Sequence, residues 1–292
     1  MTPPRFTDIN VNNKQPKEAV LASLTTITPR NIMFKVEGPR GLWCGGDGPR
    51  TAFFDGMSLM FPEGERFFMD AVRDNAGVIT DPQLKAEIKN FTTQEAIHSR
   101  EHLRYNRMVT ERAGPAVTRL EEGVKTRIAL VNRILGPKRR LAMTAALEHF
   151  TAILADALLK NPDLLEGADP EMTRLWLWHA VEENEHKAVA FDVYKQVAPG
   201  VLGYLLRVQT MLTVTMTFSF FLFVHVATIL KADGQSNFRN WLRLVGLFWG
   251  RKGVITRTAL PWLDYFRPNF HPWDHDNRLD LDLYRARLDQ AA

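Results

Sequence analysis

The sequence predicts an all-α protein: a four-helix bundle with a crossover helix, preceded by an irregular N-terminal arm and followed by an apolar and amphipathic helical extension. Three observations carry that expectation. From Pro62 to about Gln196, apolar residues recur at three- and four-residue spacing, the period of helices with one buried face. Proline and glycine interrupt this stretch at intervals suited to bundle helices. Strand signals are scarce outside one extended stretch near Ile32–Val36.

The elements follow from their punctuation. Residues 1–60 read as an arm, with Pro3, Pro4, Pro16, Pro29 and Pro39 ahead of a Gly-Gly-Asp-Gly turn at 45–48. The bundle occupies 61–198. Its first helix opens at Pro62 and stops near Gly77, and the second opens at Asp81-Pro82 and runs to about Arg112, before Gly114-Pro115. A third covers about 116–135, a fourth about 138–160, and a fifth starts after Asp169-Pro170 and ends near Pro199-Gly200. Residues 199–260 form the apolar and basic amphipathic helices, and 261–292 a docked tail closed by a helix over about 279–290.

Composition narrows the function. In 292 residues, 45% hydrophobic and 24% charged content excludes wholesale disorder. The single cysteine, Cys44, excludes an internal disulfide and any Cys-x-x-Cys zinc or iron–sulfur site. The net charge of +4 is not gathered into an aromatic-interleaved patch, so no nucleic-acid partner is expected. The first 30 residues lack a secretory apolar core, which predicts a cytoplasmic protein. Val208–Leu230 is a run of 23 residues without Asp, Glu, Lys or Arg, long enough for a bilayer core. Gln209, five threonines, Ser219 and His225 interrupt it, and basic residues flank it on both sides, which disfavours a single crossing. It reads as a buried helix followed by a surface helix, or as a peripheral contact with the inner face of a membrane through the basic, aromatic segment from Asn240 to Lys252.

The chemistry lies in the bundle. Five of the eight histidines fall between His98 and His186. Glu95 and His98 form one Glu-x-x-His and Glu183 and His186 a second; residues three apart differ by about 60° around a helix, so each pair reaches one metal from one face. His179 precedes Glu183 by four residues and joins the same stripe, while Glu185 points away. Glu65 and Glu148 supply single carboxylates from two further helices. Two glutamates plus two Glu-x-x-His pairs are the ligand formula of a carboxylate-bridged dinuclear bundle. Phe67, Phe68, Phe150, Trp176 and Trp178 make these helices apolar, so buried carboxylates there need a neutralising cation. His102 is expected to orient a ligand or to bind metal itself, His149 to lie beside the ligands or in the core, and Glu182 at the edge of the ligand stripe, while Glu63 remains an alternative to Glu65.

The order Glu, Glu-x-x-His, Glu, Glu-x-x-His over about residues 60–195 resembles the ferritin-like di-iron carboxylate superfamily. Gln94-Glu-Ala-Ile-His-Ser and Trp178-His-x-x-Glu-Glu-x-Glu-His-Lys also resemble a bacterial family catalogued as predicted metal-dependent hydrolases. His179 is similar in position to the extra histidine of the p-aminobenzoate N-oxygenase group. These resemblances imply Glu65, Glu95, His98, Glu148, His179, Glu183 and His186 as ligands of two iron ions, with manganese, mixed manganese–iron or zinc as alternatives. Burial of the ligand set inside an apolar bundle, by analogy, favours an oxidoreductase that uses dioxygen and an electron-donor protein, and the apolar 208–230 segment suggests a hydrophobic, lipid-like small molecule as its substrate. The alternatives are a dinuclear metal-dependent hydrolase and an iron-storage protein.

Overall fold

Proline and aspartate write the helix starts. In a computed structural model describing residues 27–38 and 40–290, the first helices are α1 (Gly48–Ser58), α2 (Phe61–Asn75), α3 (Pro82–Ala113), α4 (Pro115–Ile134), α5 (Pro137–Lys160) and α6 (Pro170–His186). Each carries a proline within its first two positions, where the missing N–H costs no hydrogen bond. Asp47, Asp81 and Asp169 cap α1, α3 and α6 by accepting from the backbone N–H of Arg50, Gln83 and both Glu171 and Met172. Then come α7 (Val189–Val197), α8 (Gly200–Ala232), α9 (Phe238–Trp249), α10 (Val254–Asp264) and α11 (Arg278–Gln290). The described residues are all-helical and contain no strand.

Four of these helices make a ring around the site. α2 packs on α3 and α5, and α6 packs on the same two from the other side. α4 is the crossover that returns the chain from α3 to α5 over the outside, with Val117 and Val124 as its buried residues. The segment before α1 lies over α3 and α6: Phe34 and Val36 are fully buried while Met33 and Lys35 face out. The Phe34 ring meets Trp178 at 5.1 Å, and its N–H donates to Glu101 Oε2 at 3.0 Å.

Three expectations need correction. The arm is not irregular to residue 60, because α1 lies within it, held against α8 where Gly56 leaves room for His225 and Val226. The prolines at 3, 4, 16 and 39 lie outside the described residues. The fifth predicted helix is interrupted at Lys187–Ala188, where both residues keep helical dihedrals and no proline or glycine marks the place. Lys187 turns its ammonium away to His275 O and Asn277 Oδ1, each at 2.8 Å. Finally, α8 is not a buried helix. Met211, Val214, Leu222, Val226 and Ile229 pack inward, but only 28% of its most apolar window is buried, against 78% for α5. Both helices are long and apolar enough to cross a membrane by length and composition alone.

Candidate metal centre

The four ring helices deliver their acidic and imidazole side chains to one place. α2 presents Glu65, α3 presents Glu95 and His98, α5 presents Glu148, and α6 presents His179, Glu183 and His186; all seven are buried. They fall into two overlapping halves. Glu65, Glu95 and His98 form one group, and His98, His179 and Glu183 another beside it; Glu95, Glu148 and His186 form the opposite half. Within each group the candidate ligand atoms lie within 4.8 Å of one another.

Glu95 and Glu183 belong to both halves. Glu95 Oε1 lies 3.2 Å from His186 Nε2, while its Oε2 faces His98 Nδ1 at 3.9 Å. Glu183 repeats this: Oε1 lies 3.1 Å from His179 Nε2 and 3.5 Å from His98 Nδ1, and Oε2 is 3.6 Å from His186 Nε2. Glu148 Oε2 approaches His186 Nε2 at 3.5 Å.

The surroundings decide which histidine nitrogen is free. Asn106 Nδ2 donates to the Ser58 carbonyl, so Asn106 Oδ1 accepts from the Ser58 hydroxyl at 2.6 Å. Ser58 Oγ must then accept from His102 Nδ1–H at 2.8 Å, and His102 Nε2 must accept from His179 Nδ1–H at 2.9 Å. His179 Nε2 is left unprotonated and aimed at the cluster. Gln94 does the same for His186: its amide N–H donates to Glu185 Oε2 at 2.8 Å, so its carbonyl accepts from His186 Nδ1–H at 3.0 Å. His98 donates from Nε2 to Glu182 Oε2 at 3.0 Å, leaving Nδ1 inward. Glu182 and Glu185 are in turn held by Arg30, and Glu185 also by Arg285 at 2.7 Å. Such outer hydrogen bonds are what orient metal-binding imidazoles.

Inside this frame, polar atoms lack partners. Both oxygens of Glu65, Glu95 and Glu148, Oε2 of Glu183, and the inward nitrogens of His98, His179 and His186 are buried without a hydrogen bond. Burial opposes ionisation of every carboxyl here. It prevails at Glu65 and Glu148, helped by repulsion from Glu95, and at Glu95 itself over the pull of His186; all three are raised above the usual carboxylate range. At Glu183 the attraction of His186 and His179 outweighs burial and holds the carboxyl low. Burial and the charge of His98 push His179 down to about 4, so it is neutral. His98 is raised to about 10 and His186 well up, because their glutamate neighbours overcome burial. Without a cation, protons on these two imidazoles balance the site. The donor set fits a metal pair that replaces those protons and takes up the unpartnered atoms.

All seven expected ligands therefore meet. Glu63 does not: it is partly exposed and pairs with Arg66 at 3.6 Å. His102 and Glu182 hydrogen-bond the candidate ligands His179 and His98, and His102 also groups with Glu65 and His179 closely enough to hold a metal itself. His149 takes the core alternative: it faces the tail, with Nε2 donating to Pro261 O at 3.1 Å and its ring 4.9 Å from Tyr265. The 100° step from Glu148 turns it off the site. Glu185 points away from the centre yet is buried and tied to Gln94. The sequence reading did not find Gln94, Ser58, Asn106 or Arg30 in these roles. Gln94 sits beside Glu95 in the motif and was within reach; the others carry no local signal.

The His179 and Glu183 face opens on an apolar pocket walled by Phe54, Phe61, Leu158 and Trp176, with Phe61 stacked 4.8 Å from the His179 ring.

The all-helical body closes around a paired His/Glu cluster whose groups could hold metal ions. Its sequence matches the family model described as predicted metal-dependent hydrolase over residues 28–276, and the chain belongs to that family. No curated protein and no solved structure matches it. The family corrects the oxidative expectation: a buried dinuclear ligand set alone does not separate oxygen chemistry from hydrolysis, and the preference for a dioxygen-using oxidoreductase rested on burial by analogy.

Proposed function

We propose that the protein is a hydrolase working with two divalent metal ions, one held by Glu65, His98 and His179, the other by Glu148 and His186, with Glu95 and Glu183 shared. The bundle holding them is proposed to be ferritin-like, on the order of Glu and Glu-x-x-His along α2, α3, α5 and α6. Mixed imidazole and carboxylate donors accept zinc, manganese or iron(II). A bound pair supplies a water that loses its proton near neutral pH and an electrophile for the scissile carbonyl or phosphoryl oxygen.

The chain's residues do the rest. Gln94, Glu182 and the Ser58–His102 pair keep three imidazole lone pairs turned inward. Phe54, Phe61 and Trp176 exclude bulk water from the His179 and Glu183 face, which strengthens every electrostatic contact there. The observation that carries the reading is the set of buried inward atoms without a hydrogen bond, the unprotonated His179 Nε2 facing Glu183 Oε1 at 3.1 Å above all.

The test pairs metal analysis with hydrolysis of p-nitrophenyl acetate, p-nitrophenyl butyrate and bis(p-nitrophenyl) phosphate. About two ions per chain are expected, with cleavage abolished by chelation, restored by manganese or zinc, and lost in Glu183→Gln. Metal-loaded protein that cleaves none of the three refutes the proposal.

A peripheral membrane contact is proposed separately, on the outward stripe of α9. Phe238, Leu242, Val245 and Trp249 are exposed along one face, beside Arg239, Arg251 and Lys252.

A further inference from the structure

The pocket beside His179 and Glu183 has one charged residue in its wall that the metal centre does not use. Its volume is ≈ 40 Å³, and its walls are apolar apart from those two ligands, Thr151 and Arg257. The Thr151 hydroxyl is committed to the Glu148 carbonyl at 3.0 Å. Arg257 is not committed. Its nearest carboxylate, Asp163, stands 3.8 Å away, is half-exposed, and is shared with Lys252 at 3.7 Å. The Arg257 Nη1 atom is buried with no hydrogen-bond partner. A guanidinium N–H turned to an apolar wall is costly unless a ligand accepts from it. Arg257 also lies in the first turn of α10, where the helix dipole adds positive potential.

We propose that this pocket takes the apolar body of the substrate while Arg257 binds an anionic group on the same molecule. The hydrolase reading above is thereby given a substrate class: a small ester or amide whose short apolar chain bears a carboxylate. At ≈ 40 Å³ the pocket has room for about three or four water-sized groups, a chain of a few carbons. A guanidinium recognises a carboxylate through paired N–H donors, which an alcohol of equal length cannot match.

The test reads binding at equilibrium. Metal-loaded protein is titrated calorimetrically with acetate, propanoate, butanoate and butan-1-ol. Affinity is expected to rise along the carboxylate series as more apolar surface is buried, and butanoate to bind about tenfold or more tightly than butan-1-ol. Arg257→Gln should remove that preference with metal content unchanged, and Arg257→Lys should keep part of it. No butanoate binding, or binding that Arg257→Gln leaves untouched because the carboxylate sits on the metals, overturns the proposal. The two readings fail separately. A protein that binds butanoate through Arg257 yet cleaves no ester refutes the hydrolase; one that cleaves esters but binds butanoate no better than butan-1-ol refutes the acid-binding pocket.

Discussion

Replacing Glu65 by glutamine should change stability in opposite directions with and without metal. In the metal-free protein the Glu65 carboxyl is buried, both oxygens lack donors, and Glu95 and Glu183 repel its charge. The amide has nearly the same volume and no charge, so it removes the repulsion and the desolvation penalty together. Exchanging a carboxyl that must either bury its charge or take up a proton on folding for a neutral isostere gains about 1–3 kcal/mol. For a chain of this size that raises the melting temperature by roughly 2–5 °C. With metal bound the sign reverses, because the variant loses a ligand and with it part of the stabilisation that binding confers on the folded state. Differential scanning calorimetry on chelator-treated and metal-loaded samples of both proteins measures all four values. Equal destabilisation in both states would refute the argument, since Glu65 would then be an ordinary packing residue.

The remaining predictions concern the protons, the orienting chain and the surface. His98 is raised in the folded state from 6.5 to about 10, so its contribution to the metal-free fold is complete below the unfolded value and lost as pH rises toward 10. Glu65 and Glu148, raised acids, also cost stability as pH climbs above the ordinary carboxylate range. Metal-free protein should therefore melt progressively lower from about pH 5 to pH 9, and metal should flatten that curve; a metal-free melting temperature that rises with pH contradicts it. His102→Phe removes the acceptor that fixes the His179 tautomer, and competition with a chelating dye should show metal affinity falling about 10–100-fold. Ser58→Ala should move it the same way by less, and unchanged affinity in both would sever the chain from the site. Leu242→Asp with Trp249→Asp, both exposed on α9, should abolish flotation with anionic liposomes without lowering the melting temperature. Equal flotation of variant and wild type would end the membrane proposal.

What was legible in the sequence was local. Pro62, Pro82, Pro115, Pro137 and Pro170 announce their helices because proline at a first turn acts within one turn of chain. Glu95 with His98, and His179 with Glu183 and His186, share faces because helical rotation is set by spacing alone. The meeting of all seven groups was also readable, since four apolar helices each carrying a buried carboxylate can stabilise them only together.

Tertiary structure decided whatever depends on partners distant in the chain. The lone pair of His179 is fixed through His102, Ser58 and Asn106, brought together by α1, α3 and α6, and no spacing rule connects them. α1 was hidden in a stretch rich in turn signals, and its stability comes from packing on α8. The sequence left His149 either beside the metal or in the core, and the fold chose the core by turning it toward Pro261. Arg257 reads in the sequence as one more basic surface residue. It becomes a candidate ligand-binding group because α10 folds back on α5 and sets its guanidinium in the wall of the pocket that ends at His179 and Glu183. A side chain's position round its own helix is a property of the sequence, but its burial and its free hydrogen-bonding atoms depend on which other helices arrive beside it.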